Sequence, residues 1–150
     1  MWLFEVTIKD ALALVTFIPV ITGTGGNVGI QSSSIMVRGM AIGRIDLAHI
    51  GSILFKEMRI GAIIGLACGG VVGLVAPFWH GNSILGFIVG FAMFIGITVA
   101  STMGTLIPAM FKKLNIDPAI ASGPFVTTAN DITGIVIYLS IATAFLKYII

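Results

Sequence analysis

The chain is expected to fold as an all-α integral membrane protein with four transmembrane helices. Hydrophobic residues make up 57% of its 150 residues and charged residues 9%, with a mean hydropathy of +1.12. A soluble domain carries roughly 25% charged residues. Between Arg59 and Lys112 there is no Asp, Glu, Lys or Arg at all, which leaves room for two crossings of ~30 Å of hydrocarbon at roughly 20 apolar residues each. A single charge, Asp131, stands inside the hydrophobic body, with Asp117 and Lys147 as its nearest charged neighbours.

Charge-free runs set the four segments. The first spans residues 11–37, bounded by Asp10 and Arg38. Trp79-His80-Gly81-Asn82-Ser83 divides the long uncharged stretch into a second segment, 60–78, and a third, 84–110. The fourth covers residues 118–145, and the whole chain, 1–150, forms one ion-conducting membrane domain. In the connection 43–59, Asp46 is placed to cap a brief interfacial helix carrying Ile50, Leu54 and Phe55.

Lysine and arginine orient the bundle. Arg38, Arg44, Lys56 and Arg59 flank the first connection and Lys112 and Lys113 the last, against Lys9 and Lys147 on the other side. The positive-inside rule places both of those connections in the cytoplasm, residues 79–83 outside, and both termini outside, in the plasma (inner) membrane. No basic region followed by a short apolar core and a cleavage site opens the chain. A preceding transmembrane helix, absent here or supplied by another polypeptide, is therefore expected.

The polar residues at membrane depth point to chemistry. A carboxylate at bilayer depth costs about 2.5–3.5 kcal/mol on insertion scales and is tolerated mainly beside water or a cation, so Asp131 suggests an ion pathway. Thr127, Asp131 and Gly134 share one helix face, with Thr128 and Asn130 beside them. In the first segment, Thr22-Gly23-Thr24-Gly25-Gly26-Asn27-Val28-Gly29 places four glycines and three polar residues at depth. Two readings stand: the helix is interrupted by its glycines and offers carbonyl oxygens to a cation, or the glycines let another helix come close. Gly61, Gly65, Gly69 and Gly73 recur every four residues in the second segment, a stripe for tight packing. Thr98, Ser101, Thr102 and Thr105 in the third are expected to make interhelical hydrogen bonds rather than line water.

At this point the motifs carry a resemblance. Pro19-Val20-Ile21-Thr22-Gly23-Thr24-Gly25-Gly26-Asn27-Val28-Gly29-Ile30-Gln31, followed by Val37-Arg38-Gly39-Met40-Ala41, resembles the second transmembrane helix of MgtE-type magnesium channels. Asp117-Pro118-Ala119 and Gly123-Pro124-Phe125-Val126-Thr127-Thr128, leading into Asn130-Asp131-Ile132-Thr133-Gly134, resemble the family's fifth helix, and Lys56-Glu57-Met58 is also similar. The resemblance implies five helices with a cytoplasmic N-terminus, this chain beginning just before the second. It implies a homodimer within the lipid bilayer, with a pore on its two-fold axis lined by the first and fourth segments. The residue matching Asp131 binds hydrated Mg2+ in the family, with Thr127 and Gly134 as matching helpers, and Asn27 and Gln31 match the motif of the first segment. Ile30 departs from the pattern, standing where many relatives carry a polar residue. The family's cytoplasmic regulatory domains have no counterpart here, so gating does not carry over.

Elementary ion chemistry agrees with that ion. Magnesium keeps its waters and is held through one or two carboxylates, whereas calcium takes six to eight direct oxygens. One Asp131 from each of two chains neutralises one divalent cation. Other classes fare worse. A net charge of +2 suits no nucleic acid, and Cys68 is a single small thiol in an apolar run with no disulfide partner. His49 and His80 lie in polar connections without partners at zinc-ligand spacing. The glycine-rich run lacks the Gly-Lys-Ser/Thr of a phosphate loop. An intramembrane hydrolase would need a second acid beside Asp131, or a histidine near Ser32, Ser33 and Ser34, and the chain has neither. The remaining alternatives are an accessory membrane subunit whose Asp131 forms a structural ion pair with a partner helix, and a carrier for another divalent metal.

Overall fold

Gly81 and Asn82 turn the chain through a two-residue hairpin, and the molecule is organised around it. Gly81 takes the left-handed conformation, φ +66°, and its N–H donates to Pro77 O at 2.8 Å. Asn82 then caps the next helix, its Oδ1 accepting from Ile84 N at 2.9 Å. In this computed structural model, which describes residues 12–145, four helices are each long and apolar enough to cross a membrane. They are α1 (Ile18–Ala41), α2 (Ile50–His80), α3 (Ser83–Lys113) and α4 (Pro124–Ala144). The terminal charges Lys9 and Lys147, which enter the orientation argument, lie outside the described residues.

The glycine stripe of α2 does what its spacing predicts. Gly61, Gly65 and Gly69 are buried against α3, and the pairing runs antiparallel: Gly65 meets Phe94, Gly69 meets Gly90, and Gly73 meets Gly86. A Cβ on Gly65 would fall 2.7 Å from Phe94 O, and one on Gly73 3.0 Å from Gly86 O. In a bilayer no hydrophobic force drives helix to helix, so such backbone proximity and the dispersion it allows supply the association. The outward face of α2, with Ile63, Leu66, Val71 and Leu74, is exposed.

Helix α3 is central, touching each of the other three. Leu85, Ile88, Val89, Ala92, Met93 and Ile97 line its buried face and pack with Phe17, Ile21 and Val28 from the first segment and Tyr138, Leu139 and Ala142 from α4. The Tyr138 hydroxyl donates to Leu14 O at 2.8 Å, satisfying a buried phenol and tying α4 to the 3₁₀ helix Leu12–Phe17 that leads into α1.

The element boundaries correct three expectations. The first segment is not interrupted: α1 runs unbroken from Ile18 to Ala41 through all four glycines, none of which has a positive φ. Thr22 and Thr24 bond back to Ile18 O and Val20 O, and the glycines are used for close approach instead. The separate interfacial helix is also absent. Asp46 caps only the 3₁₀ turn Leu47–His49, through Ala48 N at 3.0 Å, and Ile50, Leu54 and Phe55 already belong to α2. Charges mark where the membrane ends, not where the helix does, and no proline stops the helix between residues 50 and 60. Finally, the fourth segment opens as a 3₁₀ helix, Pro118–Ser122, capped by Asp117, before Pro124 starts α4.

Gly69→Ala is expected to destabilise the protein by about 1–3 kcal/mol, because its Cβ meets the backbone of Gly90. Gly70→Ala, where a Cβ meets nothing within 4 Å, is expected to cost nothing. Thermal unfolding in detergent compares the two.

Candidate ion-binding site

The site is built where α4 lies on the glycine face of α1. A Cβ placed on Gly26 would sit 3.5 Å from the Thr127 methyl and 3.8 Å from an Asp131 carboxylate oxygen. One turn further, Gly29 is so close to α4 that a Cβ would collide with the Asn130 carboxamide and lie 3.2 Å from Val126. On its other side Gly29 meets Gly104 of α3, whose Cβ would lie 3.1 Å from Gly29 Cα. Three helices thus cross at one point, and the crossing holds Asp131 against α1.

Asp131 is half-buried and makes no hydrogen bond or ion pair among the described residues. Thr127 lies one turn before it, its hydroxyl donating to Gly123 O at 2.8 Å and leaving oxygen lone pairs free. Gly134 follows on the same face, with nothing within 4 Å of where a Cβ would be. Asp131, Thr127 and Gly26 are brought together. Asn27 and Gln31 are not packed against them: both side chains are exposed on α1, on a strip that also carries Gly23 and Ser34. An exposed polar strip on a membrane-spanning helix is unstable against lipid, so this face needs water or protein beside it. Among the described residues no three of His, Cys, Asp and Glu gather into a metal cluster. One copy therefore offers a divalent ion a single carboxylate at this depth.

The expectation for α3 is met by one residue of four. Ser101 bonds between helices, to Ser32 of α1 at 3.1 Å and to Glu57 O of α2 at 3.0 Å. Thr98 and Thr102 bond back to carbonyls of their own helix, Phe94 O and Thr98 O. Thr105 is buried with its hydroxyl unpartnered. The structure adds Asn130, read from the sequence only as a neighbour of the acidic residue. It is 3% exposed, and neither end of its carboxamide has a partner. Its place opposite Gly29 depends on two helices meeting. The spacing of Gly25, Gly29 and Ser32-Ser33 along one face of α1 was the available signal.

A helical membrane domain with one carboxylate set against a glycine-lined helix, and a polar strip beside it, has the features expected of an ion pathway. Comparison with known proteins makes this specific. The profile of the MgtE family, described as a divalent cation transporter, matches residues 18–141. The magnesium transporter MgtE of Bacillus subtilis (strain 168) is 40% identical over 143 residues, covering 95% of this chain and 32% of that protein. Those of Enterococcus faecalis and Thermus thermophilus are 40% and 36% identical over 147 and 145 residues, covering 98% and 96% of this chain and 32% of each relative. The chain belongs to the MgtE family. It spans about a third of the length of the relatives it matches.

Gly29→Ala is expected to lower the melting midpoint by several degrees by wedging α1 away from α4. Gly23→Ala, in open space on the same helix, is expected to leave it unchanged.

Proposed function

We propose that this chain carries divalent cations, magnesium foremost, across the plasma membrane through a pore formed between two copies. The observation that carries the reading is the unpaired Asp131 carboxylate lying 3.8 Å from the Cβ position of Gly26, next to the exposed Asn27 and Gln31 strip. In the dimer α1 and α4 of each copy face the axis. Two Asp131 carboxylates there balance the charge of one divalent ion, and without the ion they would repel until one took a proton. Magnesium releases water reluctantly, so the ion passes hydrated, its water shell bonded by Thr127, by carbonyl oxygen near Gly134, and by the Asn27 and Gln31 amides. The relatives named magnesium transporters support the choice of ion. The charge bias supports cytoplasmic connections at 43–59 and 112–117 and an exterior connection at 79–83.

Asp131→Ala is expected to reduce magnesium uptake by at least about tenfold with assembly intact, because removing the charge relieves an insertion penalty. Asp131→Asn separates charge from size: half-saturation rises and discrimination against sodium weakens. Thr98→Ala, which loses only a bond to its own helix, stays within about twofold of the parent in the same flux assay. Retention of magnesium affinity and sodium rejection by Asp131→Asn would remove the charge from the selectivity mechanism.

Orientation and assembly are checked separately. In a Cys68→Ala background, Ser83→Cys is expected to react with an impermeant thiol reagent from outside and Ser52→Cys only after the membrane is opened. Crosslinking of the transport-competent preparation is expected to trap dimers. Monomers alone would contradict the shared pore.

A further inference from the structure

Three helices are joined by side chains at one atom, Ser101 Oγ. Ser101 is fully buried, and Ser32 is 5% exposed. Ser101 donates to the main-chain oxygen of Glu57 at 3.0 Å, with a Glu57 carboxylate oxygen 3.4 Å from the same hydroxyl. A hydroxyl has one proton, so with that proton directed to Glu57, Ser101 accepts from Ser32 at 3.1 Å. The helices could hardly be closer there: a Cβ on Gly61 would lie 2.8 Å from the Ser101 Cβ. The node therefore sits on the α2–α3 glycine ladder and reaches from it to α1.

Its reach matters because the other residues α1 buries on that face, Ile21, Val28 and Met36, make apolar contacts that lack the directionality of a hydrogen bond. The Gly29 contact with α4 sets how close α1 comes, but glycine has no side chain to resist turning about the helix axis. Ser32 follows Gln31 directly and lies about 140° around the helix from Asn27, so holding its hydroxyl fixes where both amides point. A buried hydroxyl pair in a low-dielectric span resists breaking because each freed group would be left unsatisfied.

We propose that Ser101 is a positioning residue for ion binding: by holding Ser32 it fixes the rotation of α1 and thereby the direction of Asn27 and Gln31 toward the hydrated ion beside Asp131. This rests on the pore reading given above. Ser101 touches no ion. It acts through Ser32, with the α2–α3 seam as its anchor.

Magnesium flux by the full chain in proteoliposomes tests this, with half-saturation and maximal rate per folded dimer read separately. Ser101→Ala and Ser32→Ala each remove the same bond, Ser32→Ala leaving the Ser101–Glu57 bond in place. Each is expected to raise the half-saturating magnesium concentration about three- to tenfold, the scale of one lost hydrogen bond, with maximal rate within about twofold. The double variant is expected to match the singles, because both act through one bond. Half-saturation unchanged in Ser32→Ala, with only the melting temperature or the active fraction reduced, overturns the proposal. So do single-variant shifts that multiply in the double variant. Asp131→Asn run alongside keeps the two readings apart: if it leaves magnesium handling unaltered, the pore reading fails, whatever Ser101 does.

Discussion

The absence of a side chain at Gly29 is the constraint on which the site depends. With no Cβ at Gly29, α1 and α4 approach until the Asn130 carboxamide occupies the place a side chain would take, which leaves the Asp131 carboxylate and the Thr127 methyl a Cβ's width from Gly26, and Gly104 lets α3 close the crossing from the other side. In water, apolar burial would hold three such helices together. In lipid it contributes almost nothing, since hydrocarbon tails are as apolar as leucine, and close contact must serve instead. Glycine costs about 1 kcal/mol of helix propensity per residue, yet α1 stays helical because every interior N–H still has its carbonyl and lipid offers no alternative partner.

The polar groups divide into those that hold helices and those left unsatisfied. Ser32, Ser101 and Tyr138 are each bonded across elements. Thr22, Thr24, Thr98, Thr102 and Thr133 are neutralised by their own helices. Ser33, Thr105 and Asn130 are buried without partners, while Asp131 and the Asn27–Gln31 strip are unpaired and open to their surroundings, so at membrane depth they need water, protein or a cation beside them.

Much of this was legible in the sequence because membrane folds leave simple traces. Uncharged runs mark spans, and the i, i+4 recurrence of Gly61 to Gly73 marks a packed stripe, so the four helices and the packing face of α2 could be read directly, though not that α3 is what it packs against. The ends of helices were less legible. Charge tells where the bilayer stops, whereas α2 continues ten residues beyond that point because nothing breaks it. Asp131 stood out as a lone charge, and a polar stripe picked out Thr127 and Gly134. What stayed hidden was whether the α1 glycines unwind or pack, since both outcomes use the same residues, and only the position of α4 decides between them. Asn130 and the Ser32–Ser101 pair were hidden for the same reason: their partners are about 70 to 100 residues away in sequence.

The α2–α3 hairpin also carries a built-in ruler. Trp79 near one end and Arg59 toward the other are twenty residues apart on one continuous helix, about 30 Å at 1.5 Å per residue. That is the depth of a typical hydrocarbon layer, and an exposed tryptophan and an arginine are the side chains that prefer its two boundaries. Because α2 is locked to α3 glycine by glycine, it cannot slide to suit a thicker or thinner bilayer. A mismatched membrane must therefore tilt the hairpin as a unit, and α3 with it, so that lipid thickness bears on the helix against which both α1 and α4 are packed.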